Sequence, residues 1–198
     1  MEAPRMRVLM VYCHPREDSF CAALRDAALA ALRAKGHEVT LRHLYAEGFN
    51  PVLSAEERGI YHDLQRNQAG IEADVAQLQA AEALLLVYPT WWYGMPALLK
   101  GWFDRVWVPG VTFRLGAGAI EPQLTNIRRL GVVTTYGSPW WLLAYLGWPD
   151  RRVIAGGIRR LMAKDCRVDW LSLNRMDQRG DKDRARFLAK VSARLGTW

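Results

Sequence analysis

Pro89-Thr90-Trp91-Trp92-Tyr93-Gly94-Met95-Pro96 follows the apolar run 83–88 and leads into Ala97-Leu98-Leu99-Lys100-Gly101-Trp102-Phe103-Asp104-Arg105-Val106-Trp107. An uninterrupted apolar run of that length, closed by a proline, reads as a strand buried on both faces. The segment after Pro96 is amphipathic at helical spacing, and proline near a first helical turn gives up only an N–H that has no partner there. Three consecutive aromatic side chains therefore stand at a strand's carboxyl end. In an open α/β sheet that is where ligands bind.

Outward from this stretch, apolar runs of strand length alternate with helical periodicity, the pattern of βαβ units and a parallel sheet. Strands are expected at 7–12, 39–44, 83–88, 130–135 and 168–173. Helices are expected from Ser19 to about Lys35, over 71–81, from Pro96 onward, over 150–163, and from Asp181 to about Leu195. In the first of these Phe20, Ala23, Leu24, Ala27, Ala28, Ala31 and Leu32 recur at three- and four-residue spacings, and Gly36 supplies the left-handed cap. The segment 46–67, with Gly48, Pro51 and Gly59, reads as a long loop holding one short helix. Long connections in compact domains are commonly functional.

A chain of 198 residues, 51% hydrophobic, is the size of one compact domain spanning 1–198 that buries about 70% of its unfolded surface. The start of the chain lacks the charged, apolar and small-residue pattern of a leader, so a cytoplasmic location is expected. Cys13, Cys21 and Cys166 are odd in number and lack C-x-x-C spacing, which implies buried free thiols rather than a metal site. The net charge of +7 is spread over Arg128-Arg129, Arg151-Arg152 and Arg159-Arg160 rather than one stripe, so a solvated basic surface is preferred to nucleic-acid binding. The apolar run 139–149 is shorter than the ~20 residues of a membrane span. With proline at both ends it reads as a loop or short helix in a pocket wall or subunit interface.

Three segments carry chemistry. The first strand delivers His14-Pro15-Arg16-Glu17-Asp18-Ser19-Phe20 into a helix start, where free N–H groups favour an anion and Ser19 is either a cap or a phosphate ligand. Neither G-x-x-x-x-G-K-[ST] nor G-x-G-x-x-G is present. Trp91, Trp92 and Tyr93 suit stacking on a flat heteroaromatic ring, whereas Trp102, Phe103 and Trp107, at helical spacings, suit packing. The fourth strand ends in Thr134-Thr135-Tyr136-Gly137-Ser138, small and hydroxyl residues that let a backbone approach a ligand closely. His14, His37, His43 and His62 all lie in the first third, and no G-x-S-x-G or H-E-x-x-H pattern occurs. With a ring platform and a phosphate loop but no acid–base pair, a bound cofactor is expected to carry the reaction.

Together these segments resemble the flavodoxin-like NAD(P)H:quinone oxidoreductase family of the DT-diaphorase type. His14-Pro15 with Ser19-Phe20 is similar to its phosphate loop, and 89–106 to its ring-binding strand end and helix. The resemblance covers roughly residues 6–138. It implies a doubly wound five-stranded parallel sheet of order 2-1-3-4-5 and a homodimer with active sites at its interface. It also implies a flavin, FAD placed ahead of FMN, with its phosphates on His14, Ser19 and Phe20. The ring would lie on Pro89, Thr90, Trp91, Trp92 and Tyr93, and its pyrimidine edge on Thr135, Tyr136 and Gly137. NAD(P)H would give a hydride to flavin N5 and leave, and a quinone-like acceptor would take two electrons from the same face. Where the family has paired glycines, Tyr136-Gly137 stands here; Cys21 replaces an asparagine, and no histidine follows His62. A charge-relay role after the fourth strand is thereby left to Tyr136 or Tyr145. The other reading left open is a flavodoxin-like regulatory subunit that docks on a partner such as a membrane transporter, either through the aromatic segment 140–148 or through the basic surface.

Overall fold

The computed structural model describes residues 5–116 and 118–198. In chain order it forms β1 (Arg7–Tyr12), α1 (Phe20–Ala34), β2 (Glu38–His43), α2 (Ala55–Ile60), α3 (Glu72–Ala80), β3 (Ala83–Pro89) and α4 (Ala97–Val106). There follow β4 (Phe113–Leu115), β5 (Ile120–Pro122), β6 (Arg129–Tyr136), α5 (Trp140–Tyr145), α6 (Pro149–Arg151), β7 (Arg167–Asn174) and α7 (Asp181–Leu195). Five strands pair in parallel in the order β2-β1-β3-β6-β7. This is the expected 2-1-3-4-5 arrangement.

Strand alternation assigns each side of the sheet to a different core. Leu9, Val11, Leu84, Leu86, Tyr88, Leu130 and Val132 face Val75, Leu78, Leu99, Trp102 and Val106 of α3 and α4. Val8, Met10, Tyr12, Leu85, Val87 and Val133 face Leu24, Ala28 and Leu32 of α1 and Phe187, Val191 and Leu195 of α7. Covered on both faces, β3 is buried at every position, which explains its unbroken apolar run. Trp102 and Phe103 pack in the core, as expected. All three cysteines are free and buried. Among the described residues no helix is long and apolar enough to cross a membrane.

Two elements differ from expectation. The segment 150–163 is not one α-helix: after α6 it runs as a π-helical stretch, Arg152–Gly157, and a 3-10 turn, Ile158–Leu161. Gly156-Gly157 weakens α-helical propensity there, and the chain is instead fixed by tertiary bonds, Leu124 N to Leu161 O (2.9 Å) and Arg159 Nη2 to Cys166 O (2.9 Å). The antiparallel β4–β5 pair, apart from the main sheet, is also additional.

The long connection 44–71 does hold one short helix, α2, closed by a capping box in which Ser54 and Glu57 satisfy each other's backbone N–H. It docks on α4 through Arg105, which donates to Glu57 Oε1 (2.9 Å) and Asn50 O (2.6 Å). Gly101 permits this approach, since a Cβ there would lie 2.3 Å from the Pro51 carbonyl oxygen.

Candidate functional site

The carboxyl ends of β1, β3 and β6 finish level with one another. Cys13 N donates to Val87 O (3.0 Å) and Thr90 N to Thr135 O (2.9 Å), which carries the ladder past the strands and starts three loops from one edge. The order β2-β1-β3 reverses direction between β1 and β3, the switch point at which such sheets bind ligands. A cleft of about 690 Å³ opens there. Pro89, Thr90, Trp91, Trp92 and Tyr93 line one side, Thr135, Tyr136, Gly137 and Ser138 another, and Met176 and Asp177 a third.

The aromatic loop is a two-residue hairpin. Trp91 and Gly94 exchange both backbone hydrogen bonds at 3.0 Å, and the residues between them, Trp92 and Tyr93, have φ of 50° and 63°. Positive φ at both central positions is the type I′ geometry, which favours Asn-Gly because a Cβ is costly there. The turn nevertheless presents two aromatic rings, and Trp92 is 95% exposed. Strain of this kind that the chain does not use for its own packing points to a ligand or partner.

The loop from β1 meets this hairpin. The His14 ring lies 6.0 Å from that of Trp91, and its Nδ1 is within 3.1 Å of both the Arg16 N–H and C=O, which pins the imidazole. Burial lowers the His14 pKa from its ordinary value, so the ring is neutral at pH 7. Ser19 is the N-cap of α1, its Oγ accepting from Ala22 N (3.1 Å). Ala22 N and Ala23 N are satisfied by Ser19, and the first-turn amides of Phe20 and Cys21 have no intrahelical acceptor. The Phe20 ring turns toward Phe187 of α7, 6.5 Å away. Glu17 is drawn from the loop toward α1 and β2, accepting from Arg25 Nη1 (2.7 Å) and bonding His43 Nε2 (2.6 Å). Its pKa is held below the usual carboxylate range by these two bonds, His43 first.

Under the cleft floor lies Asp150, 2% exposed. Its Oδ2 accepts from Thr90 Oγ1 (3.0 Å) and from the Tyr136 hydroxyl (2.8 Å), and its Oδ1 from Arg151 N (2.8 Å). Burial pushes the Asp150 pKa up, and burial followed by the Asp150 charge pushes the Tyr136 phenol up. Tyr136 thus lines the cleft with its proton committed below the floor. Tyr145, the other tyrosine singled out for a relay, is not brought to the cleft: it projects from α5, 85% exposed.

Eleven of the twelve site residues expected from the sequence lie along this edge, Tyr145 being the exception, while Met176, Asp177 and Asp150 were not expected there. The polar run Asn174-Arg175-Met176-Asp177 at the end of the last strand was a usable signal, because every strand's carboxyl end borders the same face. Asp150 gave none, since after Pro149 it reads as an ordinary acidic residue of a first helical turn. Among the described residues no cluster of His, Cys, Asp and Glu could hold a metal ion.

An open parallel sheet with a cleft at its switch point, an aromatic hairpin on one loop and a capped helix start on the next is the architecture of a doubly wound α/β protein. Residues 6–195 match a family described by its flavodoxin-like fold, and the chain belongs to that family. It is 34% identical over 148 residues to NAD(P)H dehydrogenase (quinone) 1 of Rattus norvegicus, covering 67% of this chain and 54% of that protein. Over 108 residues it is 34% identical to the uncharacterized NAD(P)H oxidoreductase YcaK of Escherichia coli (strain K12), covering 54% of this chain and 55% of that one. The chain thus spans about half the length of these curated relatives. Among solved structures, the NAD(P)H:quinone oxidoreductase of Methanothermobacter marburgensis superposes with a TM-score of 0.84 at 25% identity, covering 98% of each chain. A protein of Streptococcus mutans UA159, Smu.1420, superposes with a TM-score of 0.88 at 29% identity, covering 98% of this chain and 100% of that one.

Proposed function

We propose that this chain acts as a single flavin-binding domain, an NAD(P)H oxidoreductase that reduces a quinone-like two-electron acceptor in the cytoplasm. The observation that carries the reading is the Trp91–Gly94 hairpin, whose Trp92 is held at positive φ and left 95% exposed beside a cleft of about 690 Å³. That volume falls within the roughly 300–1,000 Å³ of small-molecule sites. The residues fit a flavin: flat aromatic surface for the ring, unpaired first-turn amides at Phe20 and Cys21 for phosphate, and strand-end backbone at Thr135 and Gly137 for a polar edge.

A bound flavin supplies hydride acceptance from NAD(P)H and electron delivery to the acceptor, chemistry that requires no side-chain base. The chain's part is positioning. Pro89, Thr90, Trp91, Trp92 and Tyr93 form the platform and exclude water from one ring face, while Thr135, Tyr136 and Gly137 set the edge. His14, neutral and pinned against Trp91, stands with Ser19 and Phe20 at the phosphate end. FAD is placed ahead of FMN because the loop 14–20 resembles that of the quinone reductases. The exposed Trp140, Trp141 and Tyr145 of α5, which begins two residues beyond Ser138, support a homodimer with the cleft at its interface.

The test is the purified protein itself under anaerobic conditions. It should be yellow, bleach on titration with NADH or NADPH, recover colour with a quinone, and release a flavin identifiable by mass. A colourless protein that takes up neither FMN nor FAD would overturn the reading.

A further inference from the structure

We propose that Asp150 is a positioning residue of this cleft, holding Thr90 and Tyr136 in one donor orientation and placing a negative charge beneath the floor that tunes the bound ring's reduction. The inference rests on the flavin reading above. A hydroxyl has one proton to donate, and Thr90 gives its own to Asp150 Oδ2. In the Thr90–Thr134 contact of 2.8 Å the donor must therefore be Thr134. Thr134 thus donates to Thr90, and the hydroxyls of Thr90 and Tyr136, from the ends of β3 and β6, both donate to the one oxygen Asp150 Oδ2.

Nothing neutralises that oxygen. No Lys, Arg or His side chain among the described residues forms an ion pair with Asp150. The ionisable groups that face it are Tyr88 of β3 and Tyr136 of β6, with Thr90 and Thr134 beside them and Arg151 contributing only its backbone N–H. A buried carboxylate without a cation is costly, and neutral side chains would bridge two strands at lower cost. Its charge adjoins Thr90 and Tyr136, which line the cleft, and disfavours added negative charge on a ring held there.

Asp150→Asn keeps the shape and removes the charge. Two readouts other than turnover apply: the affinity of flavin-free protein for oxidised flavin, by fluorescence quenching, and the midpoint potential of the bound flavin, by spectroelectrochemical titration. The variant should bind the reduced form about tenfold more tightly relative to the oxidised form, a rise of about 30 mV for a two-electron couple. A folded variant with unchanged potential overturns the proposal, because a purely structural Asp150 would alter stability alone. If Asp150→Asn does not fold, Thr90→Val and Thr90→Ser decide: Val, isosteric but without the hydroxyl, should weaken oxidised-flavin binding about tenfold, and Ser should restore it. Wild-type affinity in Thr90→Val overturns the proposal. A wild-type chain that binds no flavin overturns the functional reading and this proposal together, whereas flavin bound at equal potential in wild type and Asp150→Asn overturns this proposal alone.

Discussion

Replacing Trp92-Tyr93 by Asn-Gly should stabilise the flavin-free protein and impair its ligand binding, two effects of opposite sign from one turn. The wild-type residues sit at φ of 50° and 63° in a hairpin closed by both Trp91–Gly94 hydrogen bonds. An L-residue in the left-handed region costs roughly 1–2 kcal/mol, and Asn-Gly is the preferred pair for this turn. Against a gain of roughly 2–4 kcal/mol for the two residues stands the packing of Tyr93, which is only 36% exposed, while Trp92, 95% exposed, packs on almost nothing. A net gain of about 1–2 kcal/mol should raise Tm by about 3–6 °C for a chain of this size. Stacking of a flat heteroaromatic group on an aromatic side chain contributes about 1–3 kcal/mol, so flavin affinity should fall about 10- to 100-fold. Thermal unfolding of flavin-free protein and fluorescence titration with flavin read the two effects separately. Trp92→Ala should lose affinity while gaining less stability, since alanine still carries a Cβ at positive φ. A lower Tm in the double variant would show that the rings support the fold, and undiminished affinity would remove Trp92 from the ligand site.

Two glycines in helices should respond oppositely to alanine. At Gly101 a Cβ would lie 2.3 Å from Pro51 Cβ and O, so an overpacking cost of about 1–3 kcal/mol or more should exceed the ~1 kcal/mol of helix propensity gained, and Tm should fall. Gly59 in α2 has nothing within 4 Å, so Gly59→Ala should raise Tm; shifts of the same sign would contradict the docking of the long connection on α4. The thiols should be silent in the native state: all three cysteines are buried, and burial pushes Cys13 up to about 12 and Cys166 to about 11. A disulfide-exchange reagent at mildly alkaline pH should titrate three thiols only after denaturation, and a fast native thiol would refute this burial.

The sheet was legible because burial on both faces leaves no polar interruption, as at 83–89, and because helix periodicity survives wherever one face meets a core. The segment 152–161 was not, because Val153, Ile154, Ile158 and Leu161 imitate helical spacing while Gly156-Gly157 and bonds to Leu124 and Cys166 decide the backbone. Strands of three residues, β4 and β5, are too short to display a period. In the cleft, Trp91, Trp92 and Tyr93 announced themselves by composition. Their turn type did not, since it contradicts local propensity. Asp150 was hidden for another reason: its partners Thr90 and Tyr136 lie 60 and 14 residues away and meet it only through the sheet.

The departures from local backbone propensity are not scattered. Four non-glycine residues among those described have positive φ, Trp92, Tyr93, Trp148 and Arg175, and all lie in connections leaving the carboxyl ends of β3, β6 or β7. Trp92 and Tyr93 line the cleft, and Arg175 immediately precedes its Met176 and Asp177. Trp148, whose ring stands 6.1 Å from that of Tyr136, turns the chain into α6 just before Asp150. Each strained residue therefore lines the cleft, or leads into residues that line it, or leads to the carboxylate bonded to its Thr90 and Tyr136. Selection for stability alone would remove such conformations, each costing on the order of 1–3 kcal/mol, wherever glycine or asparagine could serve. Their concentration at one edge, together with a buried carboxylate that no cation among the described residues offsets, singles out this cleft as the candidate functional site by a physical criterion independent of similarity to other proteins.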